Sequence, residues 1–99
     1  MRDRIRVTDT PAPLSDTTRL LLGRLADTLQ TQRPNAPMRE QIREARCLVL
    51  SEQLLGDTEE AYAAEQDLLA AAPHVRDGQT RGQYAATLRL IAAQGVTAE

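Results

Sequence analysis

Cys47 and His74 are the residues from which a conventional nucleophile and base would be built, because the chain holds one cysteine and one histidine. A reactive thiol needs surroundings that stabilise the thiolate. Cys47 instead runs into Leu48-Val49-Leu50, and His74 sits between Pro73 and Val75 in a connecting segment, so an apolar thiol and a solvated imidazole are expected. No His/Cys spacing of a zinc site and no glycine-rich phosphate loop occurs, so no metal or cofactor is expected. The carboxylates fall mainly at helix starts and on solvent faces, without the contrasting environments that acid–base pairs need. Two constellations remain. Arg39, Arg43 and Arg46, at i, i+4 and i+7, line one side of a helix as a candidate anion contact, although Glu40 and Glu44 beside them also fit a solvated, self-balanced face. Tyr62 and Tyr84, the only aromatics, fall on or beside apolar helix faces. They fit core packing with the hydroxyl at the edge, or a pocket between the third and fourth helices that orients a peptide or small ligand.

The elements that position these residues belong to one small domain. A chain of 99 residues buries a thin core, and 41% hydrophobic but only 2% aromatic content, with no Phe or Trp, makes that core Leu, Ala, Ile and Val. Association would relieve the shortage of buried surface. All twelve basic residues are Arg, a pattern that GC-rich codon usage explains and that selection for guanidinium forks would also give. The net charge of −2 gives no average attraction for nucleic acid or anionic lipid. A lone cysteine suits a reducing, cytoplasmic setting. The charged start Met1-Arg2-Asp3-Arg4 lacks a signal-peptide pattern, and the apolar runs are too short for a membrane span, so no membrane partner is expected.

Residues 1–14 are expected to form a flexible or extended arm, marked by Thr10-Pro11-Ala12-Pro13, in which the alternation Arg4-Ile5-Arg6-Val7-Thr8 fits disorder or packing across the domain better than a short added strand. Ser15 or Asp16 caps a first helix running to about Gln32, with Leu22, Leu25, Ala26 and Leu29 on its buried face. Arg33-Pro34-Asn35-Ala36-Pro37 breaks the chain, and a second helix runs from Pro37 to Leu55. Its spacing predicts burial of Met38, Ile42, Ala45 and Val49, with the Arg stripe apart from them, while the Cys47–Leu55 half is apolar nearly all round. Gly56 ends this helix, Asp57 caps the third with Glu60 closing a capping box, and Pro73 follows the third helix's end at Ala72. Ala61, Ala64, Leu68 and Ala72 form its buried face, flanked by Tyr62 and Leu69. Asp77 caps the fourth helix, in which Tyr84, Leu88, Ile91 and Ala92 share a face until Gly95, and residues 96–99 fray. The fold class is all-α: a four-helix bundle or stacked helical hairpins over 15–95 with an extended N-terminal arm.

The Gly56–Pro73 cassette, Gly-Asp-x-x-x-Ala followed by Pro after the helix, resembles the second helix of a tetratricopeptide repeat. Val49, Glu52 and Glu65 depart from that pattern, and no second copy at its period is present, so the resemblance implies one repeat-like hairpin rather than an array. Leu21-Leu22-Gly23-Arg24-Leu25-Ala26 with Glu44-Ala45-Arg46 resembles small all-helical actinobacterial natural-product biosynthesis proteins of unknown function. That family often carries Arg and His beside the glycine, where this chain has Leu22 and Arg24, so no role of that histidine carries over. The resemblance implies an accessory protein in a biosynthetic setting, handling a peptide.

The reading these features favour is a non-catalytic protein- or peptide-binding module. It is homodimeric through apolar surface wider than one bundle face can bury, with Leu21, Leu48, Leu50 and Leu54 at the interface. An accessory peptide-maturation enzyme, relying on proximity and on substrate groups, is the alternative. A nucleic-acid-associated regulator using the Arg stripe and Arg2, Arg4 and Arg6 is the second. Glu59, Glu60, Glu65 and Asp67 on the third helix oppose a DNA-reading role for it.

Overall fold

A computed structural model of the chain describes residues 14–94. The arm, but for Leu14, and the terminal segment from Gly95 lie outside the described residues. Four helices make up the described part: α1 (Asp16–Thr31), α2 (Glu40–Leu55), α3 (Glu59–Ala71) and α4 (Arg81–Gln94). They pack as two pairs. α1 lies closely along α4, α2 lies along α3, and α1 also touches both helices of the second pair, which makes it the centre of an all-α bundle.

Sequence chemistry sets the helix ends. Ser15 caps α1, its hydroxyl accepting from Thr18 N–H at 3.0 Å. The leucine face of α1 is buried as the spacing predicts, and Leu21 joins it at 0% exposure, so α1 presents a wide apolar surface to its three neighbours. Thr58, one residue later than expected, caps α3 by accepting from Ala61 N–H at 3.1 Å. α4 begins at a reciprocal capping box rather than at Asp77: Gln83 N–H donates to the Thr80 hydroxyl, and Thr80 N–H donates to Gln83 Oε1.

α2 starts three residues later than its sequence suggests, because Pro37 and Met38 are engaged elsewhere and Arg39 holds the N-cap position. Met38 N–H donates to the Gln79 carbonyl at 2.8 Å, Arg81 N–H to Ala36 at 2.9 Å and Gly82 N–H to Pro34 at 2.8 Å. An antiparallel bridge joins Pro37 to Thr80. The α1–α2 and α3–α4 connections are thereby laced together, which satisfies backbone donors that two separate loops would leave to water. The approach is tight at Gly82: a Cβ there would lie 3.2 Å from the Pro34 carbonyl oxygen, so a side chain would require the Pro34 backbone to give slightly.

The buried side of α2 differs from the predicted one. Arg43, Cys47, Leu50 and Ser51 face inward, whereas Ala45 is exposed, Val49 is 42% exposed and Ile42 is half-buried. Met38 is buried as expected, but from the connection rather than from the helix. The inward face is the one carrying the middle arginine of the stripe.

Gly56 ends α2 at φ 78°, ψ −166°. This is a region that essentially glycine alone occupies, and a side chain there is strained by about 1–3 kcal/mol. Gly56→Ala is therefore expected to lower the melting temperature, by about 4–8 °C per kcal/mol in a domain of this size, measured by circular dichroism. Gly23→Ala, with nothing within 4 Å of the added Cβ, is the control expected to match or exceed the parent chain.

Candidate functional site

The three arginines of the stripe have three fates. Arg39 is the exposed residue preceding α2 and makes no side-chain cap bond. Arg46 is half-buried and donates to Gln32 Oε1 at 3.1 Å. Arg43 is 5% exposed, and its guanidinium is fully engaged at the end of α3. Nε and one terminal nitrogen donate to the Ala72 carbonyl at 3.1 and 3.0 Å, and that nitrogen also donates to Leu69 at 2.7 Å. The other terminal nitrogen donates to Glu40. The stripe thus does not present three converging cations. Its central member is a structural cap, delivered from a neighbouring helix to the carbonyl end of α3, where a positive charge complements the macrodipole.

Glu40 extends this cluster. Its carboxylate accepts from Val75 N–H at 3.1 Å, and His74 Nδ1 lies 3.0 Å from it. Burial pushes the carboxyl up, but the Val75 N–H, the His74 ring and the Arg43 charge together outweigh it and hold Glu40 below the usual carboxylate range. Tyr84 completes the anchoring from α4, its hydroxyl donating to the Pro73 carbonyl at 2.5 Å. Burial raises this phenol well above its ordinary range, so it stays a donor.

Cys47 lies beneath the cluster at 0% exposure, and burial pushes its thiol up to about 12, against a smaller opposing effect of Arg43. A thiol held so strongly protonated is a poor nucleophile near neutral pH. His74 is exposed and engaged by Glu40. Among the described residues no three or more His, Cys, Asp or Glu side chains gather as a metal site, and no helix is long and apolar enough to cross a membrane.

The two tyrosines are not brought together. Tyr84 is in the core at 0% exposure, while Tyr62 is 65% exposed. The expected shared pocket between α3 and α4 is thus replaced by a packed phenol and a surface ring. Of the leucines expected at a dimer interface, Leu21 and Leu50 are buried within the protomer and Leu54 is half-buried against the core, which leaves Leu48 at 43% exposure.

Leu48 and Tyr62 do meet, in a groove between α2 and α3. Leu48, Ala61 and Tyr62 line it, together with Glu52, Asp57 and Glu65. Its volume, about 110 Å³, suits a single side chain and falls below the ~300 Å³ of typical small-molecule sites. A larger depression of about 310 Å³ includes Gln79 and Gln83, but both side-chain oxygens already accept from backbone N–H groups of their own loop. Two of the five exposed large apolar side chains among the described residues, Leu48 and Tyr62, thus share one groove, while Leu20, Val49 and Leu90 lie outside it and a separate depression of about 310 Å³ is lined by Leu55, Ala63 and Ala64 with polar side chains. Sequence reasoning had named Leu48 and Tyr62 for different sites; the i, i+4 pair Leu48 and Glu52 was the available signal for its α2 side.

No protein family, curated protein or solved structure matches this chain.

Two outcomes test the Arg43 cluster. Arg43→Met is expected to lose about 2–4 kcal/mol in urea denaturation, because carbonyls and Glu40 lose charged donors, whereas Arg39→Met should stay within about 0.5 kcal/mol. The second concerns acid. A carboxyl whose folded pKa lies below its unfolded value stabilises fully above the unfolded value, and the contribution is lost as pH falls through the folded one. Glu40→Gln should therefore reduce the stability lost between about pH 6 and about pH 3, measured by urea titrations across that interval.

Proposed function

We propose that the protein is a helical binding module that recruits a protein or peptide partner through the Leu48–Tyr62 face of the α2–α3 hairpin. The observation that carries this reading is the pairing of a 43% exposed leucine with a 65% exposed tyrosine in one groove, at positions the core does not use. Tyrosine in a depression of mixed apolar and polar lining is a common anchor of protein interfaces, since it contributes large contact area and a polar tip with few rotatable bonds. The rigidity of the hairpin favours the same role. Gly56 sets the turn and Arg43 fixes the far end of α3, so both walls of the groove are held before a partner arrives and little ordering cost remains for binding. A place for such a module in natural-product biosynthesis follows only from the family resemblance.

A second copy of the chain is one possible partner, favoured by the thin Leu/Ala core and by Val49, 42% exposed on another side of α2. The maturation-enzyme reading has less support: the Cys47 thiol is buried and strongly protonated, and Arg43 is occupied by backbone carbonyls. That occupation also removes the centre of the anionic contact on which a nucleic-acid role would rest.

The double variant Leu48→Asp, Tyr62→Ser separates fold from recognition. Both positions are exposed, so its stability should stay within about 1 kcal/mol of the parent. Light scattering at micromolar concentration, with affinity capture of partners, should show an assembly or partner of the parent chain that the variant loses. Identical behaviour of the two proteins would remove this face from consideration.

A further inference from the structure

We infer that the partner of the Leu48–Tyr62 face is a polypeptide segment presenting an arginine or lysine beside an aliphatic side chain, an inference that rests on the binding-face reading above. The groove has two kinds of wall. Leu48 and Ala61 offer aliphatic contact and Tyr62 an exposed ring, while Glu52, Asp57 and Glu65 line the same groove. An aliphatic side chain fills a depression of this volume, and a neighbouring cation reaches the carboxylates or the tyrosine ring.

Charge segregation along the chain sharpens the choice. From Cys47 to Ala72 there are six carboxylates, Glu52, Asp57, Glu59, Glu60, Glu65 and Asp67, and no arginine, lysine or histidine. Every salt bridge within the described residues lies elsewhere: Glu40 with Arg43 and His74, and Asp27 with Arg89. The arginine closest in sequence to the groove's α2 wall, Arg46, donates to Gln32 on the far side. An anionic partner would meet uncompensated repulsion on this face, and a purely apolar one would bury the groove's carboxylates without partners. A cationic, partly aliphatic segment satisfies both walls at once. Electrostatic attraction adds to its rate of encounter and makes the complex sensitive to salt.

The isotopically labelled full chain, titrated with acetyl-Arg-Leu-Arg-Leu-Arg-amide and with the charge-reversed acetyl-Glu-Leu-Glu-Leu-Glu-amide, tests this by NMR. The cationic peptide should give saturable shifts at Leu48, Ala61 and Tyr62. Its affinity should fall at least about fivefold between about 50 mM and about 500 mM salt. Glu52→Gln with Glu65→Gln should weaken it at least about threefold, whereas Asp67→Asn, in a different depression of α3, should not. Absence of binding overturns the proposal, as does an effect of Asp67→Asn equal to that of the Glu52 and Glu65 pair, which would mean a diffuse field rather than a groove. Equal shifts with the anionic peptide overturn the cationic preference and leave the binding face standing. If the cationic peptide binds but Leu48→Asp, Tyr62→Ser alters no native assembly, the face itself is misassigned and the inference falls with it.

Discussion

Three carbonyl oxygens at the end of α3, those of Leu69, Ala72 and Pro73, require donors that the last turn of α3 does not supply from its own side chains. Arg43 from α2 supplies the first two and Tyr84 from α4 the third. The remaining architecture is arranged around that requirement. Seating the guanidinium fixes which side of α2 turns inward, and seating the phenol ties the α1–α4 pair to the α2–α3 pair at a point remote from the Gly56 turn. Glu40 then balances the charge while also holding Val75 N–H, so the segment leaving α3 is anchored by side chains from both other directions. Burying an arginine is costly unless its donors are satisfied, and here Nε and both terminal nitrogens have acceptors.

This arrangement explains which parts of the fold were legible in the sequence. The leucine face of α1, the Gly56 stop and the alanine face of α3 follow from local rules of period and punctuation, because their partners are generic apolar surface. Arg43 obeys no such rule. Its acceptors lie 26 and 29 residues away, and an i, i+4, i+7 run of arginines with glutamates beside it looks like any solvated face. Mistaking that face for solvent displaced the predicted core of α2 by about 150° around the helix, onto Ile42, Ala45 and Val49. A clue was present: Cys47, Leu50 and Leu54 continue the Arg43 side of the helix, and an apolar run sharing a side with a lone arginine is equally the pattern of a buried cap.

Helix starts show a related lesson. Asp57 and Asp77 are good caps by composition, yet Thr58 and Thr80 hold the cap positions. At α4 the choice was decided beyond the local sequence, since Thr80 is bridged to Pro37 and the residues around it are laced to the α1–α2 connection. The same lacing delays the start of α2 to Glu40. Register between the two helix pairs is therefore set at one end of the bundle, where the α1–α2 and α3–α4 connections meet the Arg43 cluster, by backbone and side-chain hydrogen bonds. This suits a core of leucine and alanine, whose smooth surfaces define packing angles less sharply than aromatic side chains would.

A division of labour between charges follows. Arg43, Arg46 and Arg89 are engaged by Ala72 and Leu69, by Gln32 and by Asp27 respectively, so these cations hold the chain's own elements together. The carboxylates of the second half of α2 and of α3 have no such assignment among the described salt bridges. In the proposed binding role, recognition would draw on carboxylates that the described salt bridges leave unassigned, while Arg43, Arg46 and Arg89, with Glu40 and Asp27, serve the fold. A small domain that cannot enlarge its core gains from this separation. Arg43 and Tyr84 anchor the end of α3 through hydrogen bonds that do not involve Leu48 or Tyr62, so the hairpin keeps this anchoring while both side chains stay exposed.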